Sequence, residues 1–151
     1  MDVKLILHPT DGSESASKAL DFACEFAAER KTQLLVLHVQ RRHGNERIPQ
    51  EMEEYSRVEQ VRETEAELLK EAAKRIVADA EDRAQAHGLN AVDTLILEGD
   101  PARQIAEAAK KRNVDVIVMG SRGLSDLEGL LLGSVSHKVA RSAPCTCVIV
   151  R

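Results

Sequence analysis

Apolar residues in this chain come in short dense runs separated by longer amphipathic stretches, and the two patterns alternate from end to end. Val3 to Leu7, Gln33 to Val39, Val92 to Glu98, Val114 to Met119 and Thr146 to Val150 have strand length and are rich in branched aliphatic residues. Leu34-Leu35-Val36-Leu37 is unbroken in apolar character, as in a strand covered on both faces of a parallel sheet. Between these runs the period becomes that of a helix. Ala16, Ala19, Leu20, Ala23 and Ala27 form one stripe, with Ser13 or Ser15 as its cap. Val58, Val61, Leu68, Leu69, Ala72, Ile76, Ala80 and Ala84 form a second, backed by a charged face and stopped by Gly88. Asp100-Pro101 opens a third helix, carrying Ile105, Ala106 and Ala109 and ending at Asn113. Val135, Val139 and Ala140 mark a fourth, broken by Pro144. Gln40 to Ser56, polar and containing Gly44 and Pro49, reads as a long, mobile connection.

Strand alternating with helix predicts an α/β domain of Rossmann-like form, an open parallel five-stranded sheet with right-handed crossovers and helices on both faces. At 151 residues, the chain suits one domain, 1–151. Open sheets of this kind bind ligands beyond the strand C-termini, where the strand order reverses. The loops richest in turn and cap chemistry follow the first and fourth strands. These two strands are therefore expected side by side at the reversal, giving the order 3-2-1-4-5.

The second of those loops, Gly120 to Ser134, carries the candidate chemistry: G-S-R-G-L-S-D-L-E-G-L-L-L-G-S. It spells G-x2-G-x9-G-[ST], with Gly120, Gly123, Gly133 and Ser134 at the defining positions. Glycine tolerates positive φ and close backbone approach, and a helix opening at Gly133-Ser134 offers unpaired N–H groups to an anion. A strand, a glycine loop and a helix start together point to a phosphate. Spaced glycines also mark ordinary turns, and no Walker A loop or G-x-G-x-x-G occurs.

Composition narrows the partners. A net charge of −4 and 2% aromatic residues disfavour nucleic acid and an anionic membrane. No apolar run reaches spanning length, and Met1 leads straight into a strand rather than a signal peptide. Three scattered cysteines are no disulfide framework, so a reducing cytoplasm is expected. His8 and His38, with Cys145 and Cys147, invite a metal reading, but the cysteines begin the fifth strand, far from the second, and two histidines alone are a poor ligand set. No metal site is expected.

The chain resembles the universal stress protein family, in its ATP-binding branch, over its whole length. The resemblance rests on P-T-D-G-S-E (Pro9 to Glu14), L-H-V at the end of the second strand, V-D-V-I-V-M-G-S-R-G, L-L-L-G-S-V-S-H-K-V and A-P-C-T-C-V-I-V-R. It implies that Pro9, Thr10 and Asp11 hold the adenosine end, with Asp11 near the ribose, and that Val39 lines the adenine pocket through its backbone. It further implies a ribose-side wall at Met119 and Gly120 and a phosphate cradle at Gly123, Gly133, Ser134 and Val135. The residues themselves allow both that role and a plainer one. Asp11 can accept from ribose hydroxyls or form a turn with Gly12. Ser134 can donate to a phosphate or cap its helix. Arg122 can reach phosphate oxygens or stay solvated.

No Ser-His-Asp triad, HExxH motif or acid–base carboxylate pair is present, and neither are the S-G-G-x-D-S and H-x-G-H motifs of adenylating relatives of this fold class. The expected function is an ATP- and Mg2+-binding regulator of stress or signalling, with weak or no hydrolysis and an unidentified protein partner. The alternatives are a slow ATPase or phosphotransferase and a nucleotide-free scaffold. The apolar final strand, Thr146 to Val150, ends one residue before Arg151 and lies at an edge in the inferred order, so a homodimer through it is expected, as the resemblance also implies.

Overall fold

The computed structural model describes residues 1–42, 52–124 and 131–151, with the backbone alone over 52–63. Five strands and four helices alternate: β1 (Leu5–Pro9), α1 (Glu14–Arg30), β2 (Gln33–Gln40), α2 (Met52–Ala86), β3 (Val92–Glu98), α3 (Pro101–Lys111), β4 (Val116–Gly120), α4 (Ser134–Ser142) and β5 (Thr146–Val150). The sheet is wholly parallel in the order β3-β2-β1-β4-β5, as expected. Strand alternation divides the core in two. Ile6, Leu34, Val36, Val116 and Val118 point to the face covered by α1 and α2, while Leu7, Leu35, Leu37, Ile117 and Met119 point to α3 and α4. The unbroken apolar runs thus mark strands buried on both faces. The two edge strands are the exceptions: Asp93, Thr94, Ile96 and Glu98 of β3 are exposed, and Cys147 to Val150 of β5 are only partly buried.

The helix ends follow local chemistry. Ser13 caps α1 by accepting from the Ala16 amide at 3.1 Å, and Asp100 caps α3 by accepting from Arg103 at 3.0 Å, with Pro101 in the first turn. Gly88 takes φ +85° beyond α2. Pro144 excludes helical backbone from Ala143, which leaves α4 in extended conformation.

Four expectations need correction. The first strand runs to Pro9 rather than stopping at Leu7. The Thr10 amide donates to Leu37 at 2.8 Å, so Pro9, one residue earlier, turns its nitrogen toward β4. The β1–β4 pairing covers only Ile6 and Leu7, and a missing N–H is harmless beyond it. Second, most of the connection expected over Gln40 to Ser56 (43–51) lies outside the described residues, but α2 already begins at Met52. The stretch Met-Glu-Glu is made of strong helix formers, with carboxylates suited to a helix N-terminus. Third, the stripe of α2 is shifted. Ala73, Val77, Ala80 and Ala84 are the buried seam, while Leu68 is 65% exposed and Ala72 is also exposed. The side chains of Val58 and Val61 lie outside the described residues. Fourth, on α4, Val139 is buried but Ala140 is exposed, because that short helix packs through Ser136 and Val139. No helix among the described residues is long and apolar enough to cross a membrane.

Candidate functional site

β1 and β4 diverge where their pairing ends, and a cleft of about 620 Å³ opens there, at the C-terminal ends of the strands. Pro9, Thr10 and Asp11 line it from β1 and its loop, Val39 from β2, and Met119 and Gly120 from β4. Arg122, Gly123, Ser134 and Val135 line its other flank. Of the residues singled out in the sequence, Gly133 alone is absent from the lining. It is buried, and its N–H donates to the Ser121 carbonyl.

The loop after β1 is held by its own side chains. Asp11 accepts the Ser13 amide at 2.9 Å on Oδ1 and the Leu124 amide at 3.0 Å on Oδ2. It therefore ties the β1 loop to the β4 loop across the reversal, and each oxygen keeps a lone pair for a further donor. The plainer role is also real, since the Asp11–Ser13 contact is an Asx turn and Gly12 takes φ +78°. The Thr10 hydroxyl accepts the Gly12 amide at 3.2 Å. His38 Nδ1 donates to the Thr10 carbonyl at 2.8 Å, which fixes the orientation of the ring.

Gly120 does not take positive φ. A Cβ there would lie 2.5 Å from Ser15 Oγ and 2.7 and 2.8 Å from the Ser15 carbonyl carbon and oxygen. The glycine thus lets the first turn of α1 sit directly on the end of β4. Its freedom is used for packing within the protein rather than for a ligand. Ser15 Oγ then accepts the Arg122 amide at 3.3 Å.

Ser121 anchors both ends of the glycine-rich loop. Its amide donates to the Val150 carbonyl at 2.9 Å, and its own carbonyl accepts from Gly133 N–H and, at 3.0 Å, from Ser136 Oγ. Gly133 rather than Ser134 occupies the cap position of α4, with φ −69° and no capping side chain. Gly133 itself brings no side-chain oxygen to the start of α4, unlike Ser13 at α1 and Asp100 at α3, and Ser134 and Val135 of that start line the cleft.

Sequence reasoning missed several cleft residues. Leu69, Ala72 and Ile76 of α2 form an apolar wall, one turn-face away from the seam that α2 buries on the sheet. Arg41 and Arg42 line the rim beyond β2. Ser121 and Ser136 are structural supports that no sequence pattern marks, whereas Ser13 is one of the two caps expected for α1. His8 is fully buried behind the cleft, donating from Nδ1 to the Val118 carbonyl at 2.9 Å. Burial drives its pKa down to about 4 against the opposing pull of that hydrogen bond and of the Asp11 charge. His8 and His38 do end adjacent strands, yet no group of three or more metal-ligating side chains forms among the described residues.

A cleft at the strand reversal with this loop order is the arrangement that the sequence motifs imply, and the match with known proteins is equally direct. The model of the universal stress protein family matches residues 3–151. The chain belongs to that family. Universal stress protein YxiE of Bacillus subtilis is 38% identical over 149 residues, covering 93% of this chain and 94% of the relative. The solved structure of universal stress protein MJ0577, from Methanocaldococcus jannaschii, is 30% identical and superposes with a TM-score of 0.78 over 99% of this chain and 96% of that one. A universal stress protein solved in complex with cAMP is 26% identical, with a TM-score of 0.70 and coverage of 100% and 98%.

Proposed function

We propose that this universal stress protein is a single nucleotide-binding domain, residues 1–151, that takes ATP in the cleft between β1 and β4 and acts as a nucleotide-responsive regulator in a reducing cytoplasm. The observation that carries the reading is charge and shape together. The described lining of the cleft holds three guanidinium groups and one carboxylate in a protein of net charge −4, and the cleft opens onto a helix start whose cap residue, Gly133, has no side-chain oxygen. The relative bound to cAMP supports an adenine nucleotide. In this reading Asp11 accepts from the ribose hydroxyls, and the Val39 backbone meets the adenine edge. Met119 and Gly120 back the ribose, and Gly123, Ser134, Val135 and Arg122 face the phosphates, while Gly133 supports them through Ser121.

Mg2+ fits this cleft only as a partner of the phosphates. Asp11 is the single carboxylate among the described lining residues, and both its oxygens already hold loop amides. An ion that keeps several waters and binds chiefly through phosphate oxygens suits such a site.

The same geometry argues for weak hydrolysis. Among the described lining residues, the groups able to accept a proton are Asp11, tied to both loops, and His38, tied to Thr10. His8 is outside the lining. Replacing Gly123 with valine tests the site: MgATP affinity should fall at least tenfold by calorimetry, with the thermal melt retained. Phosphate release by the wild type should stay far below the typical enzyme turnover of about 10 s⁻¹. Unchanged affinity in the variant would overturn the assignment.

A further inference from the structure

Positive charge in the cleft sits on both flanks, although in the nucleotide reading a phosphate chain would occupy only one. Arg122 belongs to the glycine-rich loop after β4, whereas Arg41 and Arg42 follow β2, on the other side of β1. All three are exposed, and among the described residues none forms an ion pair. Neighbouring strands lie about 4.8 Å apart, so these two groups are rooted roughly 10 Å from one another across the sheet. With phosphates at the start of α4 and the ribose at Asp11, the part of a nucleotide left to face β2 is its base.

The lining of that flank has a second peculiarity. No Phe, Tyr or Trp is among the described cleft residues. One side of a base would meet only the aliphatic wall of Leu69, Ala72 and Ile76. On the other side no flat apolar partner stands among the described residues. A guanidinium group is planar and weakly hydrated and stacks on aromatic rings, which an ammonium does poorly.

We infer that Arg41 and Arg42 are base-recognition residues, laying guanidinium planes on the purine face that the α2 wall leaves open. They take the place of an aromatic residue, of which the described lining has none. The inference rests on the nucleotide reading above and adds to it the source of selectivity for a purine over a pyrimidine, whose smaller ring offers less area to stack.

The test compares wild type with two double variants, Arg41→Ala/Arg42→Ala and Arg41→Lys/Arg42→Lys. Affinities for adenosine, AMP and MgATP are measured at one ionic strength by calorimetry, with thermal melts as a check on folding. The alanine variant should lose about tenfold on each ligand, by the same factor whatever the phosphate count. The lysine variant, which keeps both charges but not the planes, should recover little of that loss. Arg122→Ala provides the contrast, with a loss that grows from adenosine to ATP. A loss at Arg41 and Arg42 that grows with phosphate number, or full rescue by lysine, would overturn stacking and assign the pair to an anion. No loss in the alanine variant would overturn it too, with the nucleotide reading intact. A wild type that binds none of the three ligands would defeat both.

Discussion

Single residues at the strand reversal do more than one job, and their neighbours decide which. Gly120 is a packing glycine. Because two of the three atoms a Cβ would strike belong to the Ser15 main chain, no rotamer change relieves the clash. Gly120→Ala should destabilise the fold by about 1–3 kcal/mol, the usual cost of overpacking, and urea unfolding measures it. A variant as stable as wild type would show that α1 is not seated on β4 as described. His8 gives a pH signature. Its folded pKa, about 4, lies below the ordinary histidine value of 6.5, so between those values the unfolded chain takes up a proton that the folded chain refuses. The contribution to stability is therefore complete above pH 6.5 and is lost as pH falls toward 4, to a total of about 3 kcal/mol. Unfolding curves across that window should show the loss in wild type and a flatter profile in His8→Asn, which keeps a donor for the Val118 carbonyl. Matching slopes would contradict it.

At the scale of elements, α2 is the most informative. Its apolar surface is broad enough for two seams, one on the sheet (Val77, Ala80, Ala84) and one on the cleft (Leu69, Ala72, Ala73, Ile76). Periodicity alone reveals the breadth of such a stripe, but which part meets the sheet depends on where the helix lands. That angle is fixed partly by a clasp to α1. Asp21 takes both Arg83 Nε and a terminal guanidinium nitrogen at 2.6 Å, and His87 Nε2 at 3.0 Å. The Arg83 hydrogen bond is the main reason the Asp21 pKa falls to about 2. The partners are partly exposed, so solvent weakens the clasp. Arg83→Ala should lower stability by about 0.5–1 kcal/mol, read as a shift of the urea midpoint. A loss of several kcal/mol would mean that the clasp, rather than the alanine seam, holds the helix. The strands were far easier to read than this helix. The unbroken apolar runs of β2 and β4 mark strands buried on both faces, and cap chemistry after β1 and β4 located the reversal. The supports at Ser15 and Ser121 were invisible, since they act on residues up to about a hundred positions away in the chain.

For the whole molecule, the sheet ends in two edges of different kinds. β3 blunts its edge with Asp93, Thr94 and Glu98, whereas Cys147, Val148, Ile149 and Val150 of β5 are only half-buried. An apolar, open edge favours pairing with a second copy about a two-fold axis, and we propose a homodimer joined through β5. Val148→Pro removes a ladder donor from that edge and should give a monomer by light scattering, against a wild-type dimer. A wild type that is monomeric at tens of micromolar would refute the joint. The central claim, an adenine nucleotide in the cleft between β1 and β4, is tested most directly by native mass spectrometry of the stripped protein after incubation with millimolar ATP and Mg2+. The account predicts one ATP bound per chain, two on each dimer, lost from the Gly123→Val variant. Unliganded masses alone at that concentration, from protein with an intact thermal melt, would contradict it.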